Sequence, residues 1–456
     1  MTAMNTDLSV REGFARDASG LWRVPEAVAR PTSTAEVVEL LREAHRDGTP
    51  VTAAGSQTST TGASICDRGL VLSLRSLQGI GPVDHARRTV QVEPGVLLGD
   101  LNRALAPEGL FFAPDPTSDQ ECTVGGAIAC NASGPRTLRY GATRAHVQSV
   151  TVAMANGDVT TFRRQGAEKN TVGLYPAQDP VDWFVGSEGI LGIIVSAELA
   201  LLPKPSQEIG LAVPFPSEAQ ALAFVLAARE SSTVRPRCLE YFDAECFAIA
   251  RAGRGEASWA PNAGAMVYTE ETTLGDAEPP LEAWLELAEQ HGADTDEIRV
   301  FEGDTAIYEA RRLRHAVPAT MHERVAPYLS QGGRRISTDW AVPFHLLPDA
   351  IAMARGHARE AGLAPGVIYG HVGNGHPHQN FVARDADEVR RHEQVVERTL
   401  RDVIAMGGTV AAEHGIGKLK ARWLPLQMGP LQVALMRALK HELDPQRILA
   451  PGNILA

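Results

Sequence analysis

Cysteine is scarce in this chain. Its five cysteines (Cys66, Cys122, Cys130, Cys238 and Cys246) form no CxxC pair and no paired framework. That excludes a disulfide scaffold and leads us to expect reduced thiols in a cytoplasmic protein. Long apolar runs are missing too. The longest, from Ile190 to Ala197, is interrupted by Gly192 and is far too short to span a bilayer. The first 25 residues carry scattered charges and no apolar stretch of a secretory signal. Positive charge is in deficit: 43 Lys and Arg stand against 55 Asp and Glu, a net charge of -12. Phosphate binding needs a basic surface, so a nucleic acid is not an expected partner. Low-complexity segments and fixed-period repeats are also absent. The expectation is a cytoplasmic protein, at most peripheral to a membrane, with no membrane span.

What is present is enough for a large core. The chain has 456 residues, 44% of them hydrophobic, a length that suggests about three units. Behind a polar lead-in, Ser33-Thr34-Ala35-Glu36 reads as a capping box. Val37, Val38, Leu40, Leu41 and Ala44 continue it as an amphipathic helix, which Gly48 stops. Further on, Thr89–Glu93 alternates as a strand and a helix follows over Leu98–Ala106. Val150–Ala155 and a return strand from Val159 flank an Asn156-Gly157 hairpin turn. A strand over Ile193–Ala200 precedes Pro203 and Pro205, which mark the clearest domain boundary. Beyond it we expect helices over Glu218–Glu230 and Leu281–His291, strands near Leu239 and over Ile298–Phe301, and a last helix over Leu431–Leu443. The fold class is α+β.

Three segments are rich in glycine and small polar residues: Gly55–Gly62, Pro114–Gly134 and Gly186–Gly192. The first follows a short strand and exposes many backbone N–H groups, so it can approach a phosphate closely. The second joins rigid proline turns to a Gly-Gly pair and a short helix of small residues. Close backbone approach to a ligand explains this composition better than core packing does.

The chemistry-bearing residues gather in His371-Val-Gly-Asn-Gly-His-Pro-His378, followed some 35 residues later by Glu413-His414-Gly415. Gly373, Gly375 and Pro377 argue against a helix here. A regular strand would send His371 and His378 to opposite faces, because seven is odd. A loop curled around a ligand remains, and two His plus one Glu form a plausible set for a divalent metal. The alternatives are hydrogen-bonded surface histidines and, for Glu413, a simple salt-bridge partner.

Cys122-Thr-Val-Gly-Gly126 with Asn131-Ala-Ser-Gly134, Gly186-Ser-Glu-Gly-Ile-Leu-Gly192, Gly370-His-Val-Gly-Asn-Gly375 and Glu413-His-Gly-Ile-Gly417 occur in this order. Together they resemble the flavin-linked family of D-lactate dehydrogenases, glycolate oxidase flavin subunits and D-2-hydroxyglutarate dehydrogenases. That family lies within the vanillyl-alcohol-oxidase-type superfamily, and the resemblance runs from about Arg30 to Ile454. It implies a two-lobed PCMH-type FAD domain over 28–204, after a lead-in of 1–27. A substrate cap with an antiparallel sheet would cover 205–405, and the segment 406–456 would return to the FAD domain.

The same resemblance implies roles. FAD would be held by Gly55, Ser56, Gln57, Thr58, Ser59 and Thr61, then by Pro116, Thr117, Cys122, Thr123, Gly125, Gly126, Ala129, Asn131 and Gly134. Gly189, Ile190, Ile194 and Asn453 complete the cofactor set. His371, His378 and Glu413 would hold a divalent metal such as Zn, Mn or Fe. His414 would take the proton from the substrate hydroxyl. Arg314 would grip the substrate carboxylate through its guanidinium fork and so count as catalytic with His414. Arg335 and Asn380 would contact the substrate as well. No His lies in Gly55–Gly62, so non-covalent FAD is expected, although Cys122 and Cys130 lie near enough to matter. The chain departs from the family pattern at Ala54, Gln57, Asn374 and His376, and at its closing Ala450-Pro451-Gly452-Asn453.

The resulting expectation is FAD-dependent oxidation of a small D-2-hydroxy acid, D-lactate or a close relative, with electrons leaving to a quinone, an electron-transfer flavoprotein, a cytochrome or oxygen. A homodimer is compatible with it. Three readings compete: an oxidase of another alcohol, a flavin-fold subunit of a larger oxidase, and a metal hydrolase. A subunit without catalysis would keep the FAD loops and lose the Glu-His pair, which is present here. A hydrolase would have no use for the glycine-rich loops.

Overall fold

The computed structural model describes residues 4–174 and 178–455; residues 1–3 of the lead-in lie outside them. The chain divides into two compact units. One takes in the described residues of Met1–Gly134, Tyr140–Lys204 and Glu413–Ala456, the other Pro135–Arg139 and Pro205–Ala412.

The first unit carries two sheets of different kind. Strands β1 (Ala27–Ala29), β2 (Val51–Ala54) and β3 (Leu70–Ser73) form a parallel sheet in the order β1-β3-β2. The helix Thr34–Asp47 buries Val37, Leu40, Leu41 and Ala44, in one core with β2, β3 and the C-terminal Ile448 and Leu449. Its Ser33 cap accepts from Glu36 N–H. Glu36 reaches back one residue further than a capping box requires, to the N–H of Thr32 at 2.7 Å. Strands β4 (Ile80–Asp84), β5 (Thr89–Val92), β7 (Val147–Ala153), β8 (Val159–Arg163) and β9 (Ile193–Ala200) form an antiparallel sheet, ordered β4-β5-β9-β7-β8. Two short strands, β6 (Leu110–Phe111) and β10 (Leu202–Pro203), pair beside them. The expected polar lead-in is ordered where described: Leu8–Glu12 is a helix and Asn5 bridges to Val28.

The second unit is one antiparallel sheet. Its strands are β11 (Gln207–Phe215), β12 (Cys238–Asp243), β13 (Ala265–Thr273), β14 (Arg299–Glu302), β15 (Gly332–Ser337), β16 (Val367–His371) and β17 (His376–Asp385), ordered β14-β11-β13-β12-β16-β17-β15. The helix Gly303–Val325 lies against one face. Its stripe of Ile307, Ala310, Leu313, Val317 and Met321 is buried at helical spacing, and most of it shares a core with Phe242, Tyr268, Tyr369 and Val367. Pro318 sits inside this helix. Having no N–H, it cannot bond the carbonyl of Arg314, so the helical pattern here is hidden from a reading that stops helices at proline.

Glu270 on β13 sits at the centre of a buried charge cluster on that face. It lies 2.7 Å from Arg237 Nε, 3.1 Å from Arg136 Nε and 3.9 Å from Arg311 Nε. Burial alone would raise its carboxyl, but the three guanidinium groups overcome this and hold it well below the ordinary value of 4.5. Removing one partner of such a cluster costs about 3–5 kcal/mol, because the remaining charges stay buried without compensation. Glu270→Gln is therefore expected to lower unfolding free energy by roughly this amount at pH 7, as measured by urea denaturation. The folded value is depressed, so the contribution is complete above pH 4.5 and falls away as pH drops below it. The difference between native and variant protein should shrink in the same direction.

Candidate functional site

The histidine segment is a β-hairpin, where a curled loop was expected. β16 ends at His371, Val372–Asn374 makes the turn, and β17 begins at His376. In this register His371 faces His376, Tyr369 faces His378, and Val367 faces Asn380. Residues directly opposed in an antiparallel pair share a face. The odd spacing that separates His371 and His378 on one strand is corrected by the turn between two strands. Across the neighbouring pair, Ser337 faces Asn380 and Arg335 faces Val382, so Arg335 belongs to the same face.

The three imidazoles are buried, and their ligating atoms lie within 4.8 Å of one another. His371 Nδ1 is 2.6 Å from Glu240 Oε1, and His378 Nδ1 is 3.3 Å from the carbonyl of Thr338. With those Nδ1 atoms donating, both Nε2 lone pairs face inward. They meet at one cation, the Nη2 of Arg314, at 3.1 and 3.2 Å. Arg314 also lies 3.5 Å from Glu240 Oε2 and over the ring of Tyr369. His376 Nε2 lies 3.1 Å from Asp339 Oδ1. Two imidazole nitrogens oriented by outer partners and aimed at one positive charge fit the donor set of a divalent cation.

The run Arg311-Arg312-Leu313-Arg314, a cluster of three arginines, separates by position. Arg311 turns to Glu270, Arg312 to Glu309 on the solvent side, and Leu313 enters the core. Only Arg314 reaches the histidines. Arg335 is half-buried, and its Nη1 has no hydrogen-bond partner among the described residues. Burial pulls its guanidinium below the ordinary arginine value, with Tyr369 opposing. Asn380 is fully buried with neither amide atom partnered among the described residues. A buried amide with no partner is costly, which marks a place built for a polar ligand. Glu240 and Asp339 were missed in the sequence. Asp339 lay four residues from Arg335 with no distinguishing pattern, and Glu240 lies 131 positions from the His371 it orients.

In the first unit the expected cofactor segments converge. Among the described residues, no backbone N–H from Ser56 to Thr60 meets an acceptor of the chain. That is a run of donors suited to an anionic group. Gln57 stands in the left-handed region at φ 57°, where a glycine would be at ease; its amide is held by the carbonyls of Phe14 and Ser64. Ser56 pairs with Arg75, and Ser59 with Thr61. A Cβ at Gly55 would lie 2.3 Å from Thr123 Oγ1, so the first two loops touch directly. Thr123 caps the helix Val124–Cys130.

Some of the glycines serve the chain itself. A Cβ at Gly125 would strike Pro94 at 2.5 Å, and one at Gly134 would lie 2.2 Å from the carbonyl of Asp115, beside buried Pro116 and exposed Thr117. Gly126 meets only Thr123 Oγ1, at 3.1 Å. Asn131 ends the short helix at φ 49° and accepts from Arg144 N–H. Ala129 O accepts from Glu188 N–H at 2.8 Å. Gly189, Ile190 and Ile194 follow, with both isoleucines buried. The amide of Asn453 bonds the carbonyls of Ala63 and Glu188 and accepts from Lys418. Glu413 Oε1 lies 3.4 Å from His414 Nε2. Burial pushes the Cys122 thiol up to about 12 and raises that of Cys130 as well.

Fold and site together define an FAD-linked oxidoreductase. Residues 25–163 match the FAD binding domain, and residues 204–454 match the C-terminal domain of FAD linked oxidases. The chain belongs to this family of FAD-linked oxidases, and FAD is its cofactor. It is 31% identical over 444 residues to the glycolate oxidase subunit GlcD of Bacillus subtilis (strain 168), covering 95% of this chain and 89% of that one. The D-lactate dehydrogenase of Anaerostipes hadrus is 27% identical over 456 residues, covering 98% and 93%. The D-2-hydroxyglutarate dehydrogenase of Xanthomonas citri pv. viticola is 30% identical over 461 residues, covering 99% and 94%. A solved structure of alkyldihydroxyacetonephosphate synthase shares the fold at TM-score 0.70 and 18% identity, over 98% of this chain and 82% of that one. No helix among the described residues is long and apolar enough to cross a membrane.

Proposed function

We propose that the protein oxidises a small D-2-hydroxy acid, D-lactate or a close relative, to the 2-oxo acid. The observation that carries this reading is the shared face of β15, β16 and β17. There, two oriented imidazoles converge on a cation beside an arginine and an amide with unmet hydrogen-bonding capacity. A 2-hydroxy acid asks for a cation at its carboxylate, a polar contact at its hydroxyl and a base for the hydroxyl proton. Arg314 and Arg335 answer the carboxylate, and Asn380 the polar contact. His414 takes the proton. The names of the relatives, which include glycolate, D-lactate and D-2-hydroxyglutarate enzymes, agree with this substrate class.

FAD, when bound, supplies the two-electron acceptor. The backbone N–H run of Ser56–Thr60 would face its anionic part. The loop lacks histidine, and the Cys122 thiol is neutral at working pH and hence a poor nucleophile, so the flavin is held without a covalent bond. Acid precipitation should leave all of the flavin in the supernatant; yellow colour retained in the washed pellet would overturn this.

His371 and His378 would hold a divalent metal with Glu413, and nitrogen and oxygen donors suit Zn, Mn or Fe. Ala412, which precedes Glu413, is fixed by its N–H to Asp339 O at 2.9 Å. Such a metal would supply Lewis-acid stabilisation of the substrate oxygen. With such a metal in place, Arg314 would answer the substrate carboxylate. Chelation checked by elemental analysis should suppress flavin bleaching by D-lactate, glycolate or D-2-hydroxyglutarate, and one of the three ions should restore it. Undiminished bleaching in metal-free protein would remove the metal from the reading. His414→Ala is expected to retain FAD and slow anaerobic bleaching by about 100-fold or more. A native rate would exclude His414 as the proton acceptor.

A further inference from the structure

We infer that Glu188 is the positioning residue of the His414 loop, tying the proton acceptor to the flavin-binding segment through a buried carboxylate. The inference rests on the reading of His414 as proton acceptor and adds a residue to which no role has been assigned.

Glu188 lies in the Gly186–Gly189 turn, 6% exposed and at φ 50°, a left-handed conformation uncommon for a residue with a side chain. Its carboxylate receives two backbone donors, Ile416 N–H at 2.6 Å on one oxygen and Gly417 N–H at 2.7 Å on the other. These are the second and third residues after His414. Gly415, between them and His414, stands at φ 73°, and a Cβ there would lie 2.4 Å from Glu188 Oε1. The other side of the loop is held by Thr61. Its hydroxyl donates to the carbonyl of His414 at 3.4 Å, and its own carbonyl accepts from Lys418 and Leu419 N–H.

The backbone of Glu188 is fastened to the cofactor side. Its N–H donates to Ala129 O at 2.8 Å, at the end of the short glycine-rich helix, and its carbonyl accepts from Asn453 Nδ2 at 3.1 Å. One residue therefore belongs to the flavin-binding segment by its main chain and to the catalytic loop by its side chain. Burial raises its carboxyl, while the two N–H bonds and the nearby Lys420 and Lys418 pull it back. A carboxylate offers an acceptor to each N–H. A glutamine amide offers one acceptor and turns an NH2 group toward the other N–H. A proton acceptor displaced by about 1 Å can lose on the order of 100-fold in rate.

Anaerobic flavin reduction tests the inference, with the acid among D-lactate, glycolate and D-2-hydroxyglutarate that bleaches the native enzyme fastest. In Glu188→Gln, the limiting reduction rate should fall ~10- to 100-fold, while FAD content and the half-saturating substrate concentration stay native. Gly415→Ala should lower the same rate by pressing a methyl group on the carboxylate. The double variant should be no slower than the slower single one, since both act through one contact. A native rate in Glu188→Gln, loss of FAD from it, or multiplying effects in the double variant would each overturn the inference. If Glu188→Gln does not fold, Glu188→Asp, which keeps the charge but shortens the reach, is judged by the same outcomes. A dead His414→Ala beside a native Glu188→Gln sinks this inference alone; a native His414→Ala sinks the proton-acceptor reading and this inference with it.

Discussion

One antiparallel register holds the chemistry of the second unit in place. Because His371 opposes His376, the residues His371, His376, His378 and Asn380 share a face, and Arg335 joins them from the next strand. A slip of one residue would move the imidazoles to the side of Ile368 and Phe381. The hairpin is closed by Gly375 at φ 68°, where a Cβ would lie 2.0 Å from the carbonyl of Val342. No other residue fits that turn without moving the neighbouring chain. Gly375 thus secures the position of the histidines through its backbone, without a side chain of its own.

Charge on this face is divided between two acids. Glu270 draws Arg136, Arg237 and Arg311 into a structural cluster. Glu240 orients His371 and lies beside Arg314. Both acids are buried, so each must be answered locally, and the arginines are sorted by which acid they reach. Arg335 answers neither, and its Nη1 keeps a hydrogen-bond donor unspent.

The first unit works chiefly through its backbone. Glycine lets two loops meet at Gly55 and Thr123, and lets a short helix press on Pro94 at Gly125. It leaves the N–H groups of Ser56 to Thr60 unspent. Gln57 takes a left-handed conformation that suits glycine, and its amide, bonded to Phe14 and Ser64, helps hold it there. Glu188 and Asn453 then cross-link these loops through side chains, so the glycine-rich segments and the loop of His414 are parts of one hydrogen-bonded assembly.

Much of this was legible beforehand because it is local. The caps at Ser33 and Gly48, the helix Glu218–Glu230 and the strand Ile193–Ala200 depend on neighbours in sequence and were read within a residue or two. The family motifs pointed to FAD and to the His and Glu residues by their types and order. Long-range pairing was not legible. A 23-residue helix runs through Pro318, because burial of its apolar stripe outweighs one lost hydrogen bond. The five residues Pro135–Arg139 pass into the second unit with no mark in the sequence. The sequence by itself determined the residue types of the site, its cofactor class and its local turns, all set by short-range sterics and hydrogen bonding. Only the tertiary structure decided that His371 and His378 share a face, that Arg314 alone of its cluster reaches them, and that Glu188 holds the loop of His414. Those facts depend on strand register and on contacts between residues up to 229 positions apart, which no local pattern encodes.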